Sequence, residues 1–442
     1  MARRPEHLIY GVDDTPPYPV LFLLGVQHIF LMSSSLVLPV VLVSEIGGGF
    51  DQVRSVVALT MISCGLGTIF QAFRFGWVGS GYLCPNLCGP NFFSASMTAA
   101  WLGGMPLMRG MTIIAGLVEI IFARLLHRIK FLFPPEITGM VVLMVAVSVI
   151  PLGVSKSLGI NYEGEPIQGT CVAVAALTLL VMVGINIWGK GKLKLYSVLA
   201  GLTTGYLLSL PTGLLSEEHF HTIAAAPWLA LPSTDGMLNI TFKWSLIPAF
   251  AIVSITGALK SFGNLIMCEK VNNADWKEPD TRRIGNGLMA DAFCVTVSGL
   301  LGGMASDTSA SNVAFSSASG ATSRYIGYLA GALFILIGFL PKITGVLSIM
   351  PMPVMGAILL FVTCFMIVSG IQIIVGTGMD NRKTFVIGVS LIIGLSLDLL
   401  PSLYVGIPRA IRPLFESSLT LSTVLAVVLN QVLRIGEAPK TT

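Results

Sequence analysis

Charge is what this sequence has least of. Of 442 residues, 26 are Lys or Arg and 22 are Asp or Glu, 11% together, against about 25% in an ordinary soluble domain. With 54% hydrophobic residues and a mean hydropathy of +0.83, a water-soluble fold would lack the polar surface to cover itself. That excludes a soluble enzyme, a disordered regulator and a secreted disulfide scaffold. Histidine is scarcer still, with 5 residues mostly in loops. Neither a metal cluster nor a nucleophile–base pair is at hand, so no metal, no cofactor and no enzymatic activity are expected. The 7 cysteines are scattered. Cys84 and Cys88 form the one close pair, with no further ligand beside them, and read as small buried residues and not as a zinc site. Long polar stretches are missing too: 214–243 and 268–283 are the longest, and neither would make a soluble domain. The net charge of +4 is spread over short loops, which excludes a nucleic-acid partner. Arg3 and Arg4 precede no short apolar segment with a cleavage site, so the N-terminus reads as a cytosolic tail.

What the sequence has is apolar runs long enough to cross a bilayer, which takes about 20 residues of helix. Fourteen candidates lie near 18–43, 53–73, 82–101, 106–126, 135–154, 168–188 and 194–213, then near 245–267, 284–302, 304–321, 324–341, 346–369, 382–400 and 413–433. With the N-terminus inside, eighteen of the Lys and Arg residues fall on the inner side and seven on the outer, and Lys260 lies within a span. The asymmetry predicts both termini on the cytoplasmic face of a plasma membrane, in a bacterium the inner one. The expectation is a single all-α polytopic membrane domain over 1–442.

Its two halves resemble each other. Arg109, Ala115 and Gly116 recur 215 positions later as Arg324, Ala330 and Gly331, and Pro134, Gly139 and Gly153 recur 217 later as Pro351, Gly356 and Gly370. Seven spans per half is an odd number, so the repeats, 1–213 and 244–434, must face opposite ways. Inverted repeats of this kind are typical of secondary transporters. The third and tenth spans are poor lipid-facing helices. One holds Cys84-Pro85-Asn86 and Gly89-Pro90-Asn91; the other, over 304–323, has seven Ser, five Ala and two Thr. Interrupted backbone at membrane depth is tolerated only beside protein or a wet cavity, and in paired positions of two halves it points to a substrate site. Pro90-Asn91-Phe92-Phe93-Ser94 and Ser311-Asn312-Val313-Ala314-Phe315-Ser316 are the counterparts, where helix N-termini would aim free N–H groups at a ligand. Close packing of small residues is the plain alternative.

These residues carry a resemblance. Gln27-His28 ahead of an apolar stretch with Pro39 resembles the first helix of the nucleobase–ascorbate transporter family, nucleobase:cation symporter family 2, which includes xanthine and uracil permeases. Ser311-Asn312-Val313-Ala314, Ser319-Gly320 and Arg324-Tyr325-Ile326-Gly327 are similar to its tenth-helix signature, and Asn286 to Asp291 ahead of Gly302-Gly303 to its ninth helix. Ala258 to Asn264 sits where the family usually has Glu-Ser-Ile-Gly-Asp. The resemblance covers nearly the whole chain. It implies a 7+7 fold with a core of segments 1–4 and 8–11 and a gate of segments 5–7 and 12–14, short strands in segments 3 and 10, elevator-type alternating access and a homodimer in the lipid bilayer. It also implies a purine, pyrimidine or ascorbate substrate moved with protons or sodium.

Two departures bear on chemistry. The family's eighth-helix Glu is Lys260 and its neighbouring Asp is Asn264, while the acidic or amide position of the tenth-helix signature is Ser311. A carboxylate accepts hydrogen bonds whereas an ammonium only donates, so an anionic purine such as urate or xanthine is the favoured cargo. The residues expected to bind it are Lys260, Asn264, Ser311, Asn312, Phe92, Phe93 and His28, with Asp291 and Asp307 as ion-pair or coupling partners of Lys260. Intramembrane ionisable residues are functional by default; Glu119 and Asp398, by contrast, read as structural. An inorganic or carboxylate anion exchanger on the same fold, and an ion channel, are the competing functions.

Overall fold

The computed structural model describes residues 5, 8–74, 76–129, 134–160, 165–190, 197–215, 217–232, 239–276, 279–376, 378–404, 415 and 418–434. The terminal residues 1–4 and 435–442, on which the sidedness of the chain ends turns, lie outside them. Apolar side chains on every face are what make these segments helical, because backbone groups at membrane depth must be satisfied within the helix itself. Helix α1 (Tyr18–Ser33) passes through a 3-10 turn at Ser34–Leu36 into α2 (Val37–Glu45). There Ser33, Ser34 and Ser35 turn their hydroxyls onto the carbonyls of Ile29, Leu31 and Met32, a competition with the backbone that bends helices. Then come α3 (Phe50–Ala72), strand β1 (Asn86–Cys88) and α4 (Pro90–Ile129). At Gly103 and Gly104 the backbone of α4 is non-helical, Gly104 with φ of +67°, and Pro106 follows. The third and fourth expected segments are thus two helices joined at a kink.

The first half continues through α5 (Pro135–Leu158), α6 (Gly169–Trp188), α7 (Ser197–Ser209) and α8 (Glu217–Ala225). The second half opens with α9 (Ile247–Asn272), α10 (Thr281–Leu301), strand β2 (Ser306–Thr308) and α11 (Ala310–Ser319). It closes with α12 (Arg324–Gly338), α13 (Pro341–Ser348), α14 (Met352–Gly376), α15 (Asn381–Leu399) and α16 (Ser418–Val432). Among the described residues, 8 helical segments are long and apolar enough to cross a membrane, α12 and α13 form a further bent pair at 79°, and α7 and α16 are apolar but shorter. This is a mostly helical, polytopic membrane fold.

The most extensive helix pairing joins α5 to α14, followed by α4 with α10 and α3 with α12. Glycines let these backbones meet. A Cβ on Gly139 would stand 2.7 Å from the Gly370 carbonyl oxygen, and one on Gly356 2.8 Å from that of Gly153. Both contacts therefore join the same two repeated positions. Likewise a Cβ on Gly116 would meet the Thr296 backbone nitrogen at 2.7 Å, and one on its counterpart Gly331 the Gly65 carbonyl oxygen at 2.6 Å. The large buried side chains, among them Met32, Met108, Phe250 and Phe334, fill one continuous core around these crossings.

Candidate functional site

The two interrupted segments meet. β1 and β2 pair antiparallel, Asn86 opposite Thr308, Leu87 opposite Asp307 and Cys88 opposite Ser306, with all six residues buried. Pro85 and Pro90 flank β1, and Pro90 opens α4 at a position where its missing N–H costs nothing. Gly89 is required by proximity: a Cβ there would lie 2.9 Å from the Phe92 ring and 3.2 Å from the Asp307 carboxyl carbon. α3 pins β1 and the segment leading into β2, since Thr68 Oγ1 accepts from the Asn86 N–H at 3.0 Å and Thr60 Oγ1 from the Met304 N–H at 3.0 Å. At the start of α11, Ser309 caps the helix by accepting from the Asn312 N–H at 3.2 Å.

The first turns of α4 and α11 open on a cavity of about 810 Å³. One wall is Asn91, Lys260, Asn264 and Ser311; the facing wall is mostly apolar, with Val142 of α5 and Phe361, Phe365 and Met366 of α14, and Thr138, Asn186 and Ser197 add polar groups to the lining. Lys260 Nζ is 2.9 Å from Asp307 Oδ1, and Asn91 Nδ2 donates to Asp307 Oδ2 at 2.9 Å. Asp307 is 1% exposed and Lys260 29%, so the carboxylate is held inside while the ammonium, with two further N–H donors, also borders the cavity. Asn264 turns Nδ2 inward onto the Thr308 carbonyl and hydroxyl at 3.1 and 3.0 Å, which turns its carbonyl oxygen the other way. Ser311 is exposed at the cavity, its hydroxyl 3.0 Å from that of Ser309.

The remaining expected residues stand behind this wall. His28 Nδ1 lies 2.7 Å from Asn312 Oδ1, and Asn312 Nδ2 donates to Ser309 Oγ at 2.8 Å. With the amide nitrogen committed to Ser309, the oxygen faces the ring, so Nδ1 is the protonated nitrogen of His28. Both residues are fully buried and join α1 to α11 behind the N-terminus of α11. Asp291 is not at Lys260. It accepts from Asn86 Nδ2 at 2.6 Å and from the Ser261 hydroxyl, so Asp307 alone of the two expected partners holds the lysine. Phe92 and Phe93 do not reach the cavity. Their rings pack in the core, Phe92 filling the space that Gly257 leaves by having no Cβ.

Four contributors are not among the residues expected to bind: Asn86, Asn91, Ser261 and Ser309. The Pro-Asn steps around β1 are the signal for the first two, since an Asn beside an interruption finds new bonding partners. Ser261 and Ser309 give none among so many serines.

The family model described as Permease family, that of xanthine and uracil permeases, matches residues 20–403. Among curated proteins, Xanthine permease XanQ of Escherichia coli (strain K12) is 24% identical over 453 residues, covering 97% of this chain and 94% of the relative. Uric acid permease PucJ of Bacillus subtilis (strain 168) is 24% identical over 421 residues, covering 92% and 91%. Among solved structures, the transmembrane domain of the cyanobacterial bicarbonate transporter BicA matches with a TM-score of 0.57 at 11% identity, over 95% of this chain and 99% of that one. SLC26A9 matches with a TM-score of 0.62 at 11% identity, over 94% of this chain and 65% of that one. At such identity the likeness is one of fold.

Proposed function

The chain belongs to the Permease family, nucleobase:cation symporter family 2, and from that membership we propose that it is a secondary active transporter of a nucleobase-like heterocycle, a purine such as xanthine or urate. The observation that carries the reading is the cavity between the Lys260 wall and the Phe361–Phe365 wall, where two helix N-termini and one ammonium converge. Helix N-termini and an ammonium favour an anionic or oxygen-rich ligand, while aromatic side chains suit the face of a flat ring. The ring would lie against Phe361 and Phe365, with its oxygens toward Lys260 and Ser311 and an N–H toward the Asn264 carbonyl. Relatives named as xanthine and uric acid permeases support a heterocycle over an inorganic anion or a channel.

Movement follows from the same cavity. One wall comes from α4, α9 and α11, the other from α5 and α14, with residues of α6 and α7 nearby. Substrate held mainly on the first wall would cross the membrane as that wall slides past the second, an elevator. The repeated glycine crossings of α5 with α14 and of α4 and α12 with their partners support two inverted halves. Fourteen spans then follow if α4 counts as two, α12 and α13 as one, and α7, α11, α15 and α16 are included. Core and gate bodies, both termini cytoplasmic, a plasma-membrane location and a gate-mediated homodimer complete the proposal.

A thermal-shift series on the purified protein tests it, with xanthine, urate, uracil, ascorbate, bicarbonate and sulfate as ligands. At 100 times its Kd a ligand stabilises by about 2.7 kcal/mol, so the true cargo raises Tm and the others do not. The same ligand should then enter proteoliposomes saturably. Stabilisation by bicarbonate or sulfate with none by any nucleobase overturns the reading.

A further inference from the structure

Far from the cavity the two bodies that form its walls meet again, through an ion pair to which the transport reading gives no part. Glu45 is the last residue of α2 and Lys156 lies in the last turn of α5. Lys156 Nζ stands 2.5 Å from Glu45 Oε1, with the two side chains 7% and 20% exposed. A carboxylate in the last turn of a helix faces the negative end of the helix dipole, so Glu45 is poorly placed for α2 on its own account, whereas a cation there is favoured. The pairing gives Glu45 its reason. Arg54, the nearest cation in the sequence, is turned onto Asp51 at 3.0 Å. The partners belong to different bodies: α2 packs chiefly on α3 and α4, the side of the Lys260 wall, and α5 chiefly on α14.

The distance from the cavity follows from the helices. Thr138 and Val142 of α5 border the cavity, and Lys156 comes 14 residues after Val142, about 21 Å at 1.5 Å per residue. Ser34 borders it from the other body, and Glu45 follows 11 residues later, about 16 Å on. In the proposed orientation the cavity is thus reached from the cytoplasmic end and the ion pair stands at the outer end. Residues three, four and seven places before each partner lie on its own helix face. Beneath Glu45 these are Leu42, Val41 and Leu38, all buried, and beneath Lys156 they include Leu152 and Val149. All five belong to the one continuous core, so the way between the bodies is closed by an apolar seam. Apolar contact is non-directional and favours no single register. An ion pair does, because its attraction falls once the charges part and water enters between them.

We propose that Glu45 and Lys156 are a latch between the two bodies: the pair holds the outer end closed while the cavity is reached from the cytoplasmic end, and it parts each time substrate crosses. The latch biases the equilibrium between the inward-reached and outward-reached arrangements toward the first, by as much as the pair is stronger in one arrangement than in the other. Losing it therefore shifts the population toward the outward-reached arrangement and opens the seam to water. Neither residue touches the substrate, so the effect is on which side the cavity faces and not on the contacts made to the ring.

The latch rests on the transport reading, and the experiment separates the two. Val41→Cys, in full-length protein with the exposed Cys364 changed to Ser, probes the seam in cells. A thiol at this fully buried position should react slowly with a membrane-impermeant maleimide added outside. In Lys156→Met and in Glu45→Gln it should react about fivefold faster or more, the lower end of an ordinary coupling between two sites. Reversing the pair, with Glu45→Lys and Lys156→Glu together, should return labelling to the slow rate. Cysteines replacing Glu45 and Lys156, joined by a short cleavable bifunctional reagent, should arrest uptake of xanthine and urate into proteoliposomes, and cleavage should release it. Unchanged labelling in both single variants overturns the latch, as does fast labelling that the reversed pair fails to slow. Uptake that continues with the two positions joined overturns it as well. Faster labelling that the reversal corrects, with no uptake of either purine by the wild type, leaves the latch standing and overturns the substrate reading instead. Should neither single variant fold, the joined pair decides the matter.

Discussion

Lys260 has two jobs that a single substitution would confuse. It neutralises Asp307, which is 1% exposed and among the described residues otherwise supported by the Asn91 amide, and it faces the cavity. Lys260→Met strands the Asp307 charge; because the lysine is 29% exposed, the loss of stability should be roughly 1–3 kcal/mol, below the value for a fully buried pair. It should also abolish ligand-induced stabilisation. Adding Asp307→Asn should restore Tm without restoring binding. Recovery of both would make the lysine a structural partner only, and thermal unfolding with and without the best ligand distinguishes the cases. Asn312→Ala belongs to the same scale. It removes the acceptor of the His28 Nδ1–H and a donor to Ser309, so Tm should fall by an amount corresponding to about 1–3 kcal/mol and affinity should weaken through the displaced start of α11. Lys260 is legible in the sequence because a charge in an apolar run must be bought by a function or a partner. Phe92 and Phe93 mislead because adjacency to an interruption does not say which way a first-turn side chain points, and the space beside Gly257 decides that.

Among the elements, the crossing of α5 with α14 is one whose chemistry is tightly restricted. A Cβ on Gly356 would stand 2.4 Å from the Ser157 backbone nitrogen and one on Gly139 2.7 Å from the Gly370 carbonyl oxygen, backbone atoms that cannot swing aside as a side chain would. Gly356→Ala should therefore cost about 1–3 kcal/mol. A Cβ on Gly388, inside α15, would meet nothing within 4 Å, and Gly388→Ala should gain up to about 1 kcal/mol of helix propensity. Melting curves of the two variants beside the wild type check the contrast; equal shifts would mean the crossing tolerates a wider gap. The repeated glycines are visible in the sequence as matches at two offsets. That they face one another across one crossing is not, because an offset carries no information about which helix lies opposite.

At the scale of the whole molecule, an elevator requires the Lys260 wall to move relative to the α5–α14 wall. Cysteines replacing Ser311 and Val362, which both border the cavity, should arrest uptake when cross-linked, in a background where the exposed Cys364 is changed to Ser. Reduction should restore it. Uptake that continues with the walls joined would rule out sliding of one past the other. The long apolar runs and their order can be read directly from composition, since burial in lipid leaves little choice of structure. The joining of segments 3 and 10 through a strand pair comes from resemblance, because three-residue strands leave no periodic pattern to detect.

That strand pair also sets a timetable. Asn86 and Thr308 are 222 positions apart, so as the chain is synthesised β1 enters the bilayer long before its partner exists. Until β2 arrives, its peptide groups lack the bonds that hydrocarbon makes compulsory, at several kcal/mol for each group left unmet. The closure of so large a loop brings its own entropic barrier. Pairing of the two strands is therefore a late event in biogenesis, and the cavity, whose polar wall is built on them, exists only after most of the second half is inserted. A nascent chain stalled before β2 should expose the β1 region to chaperones and proteases, and should acquire resistance only as residues beyond α11 emerge.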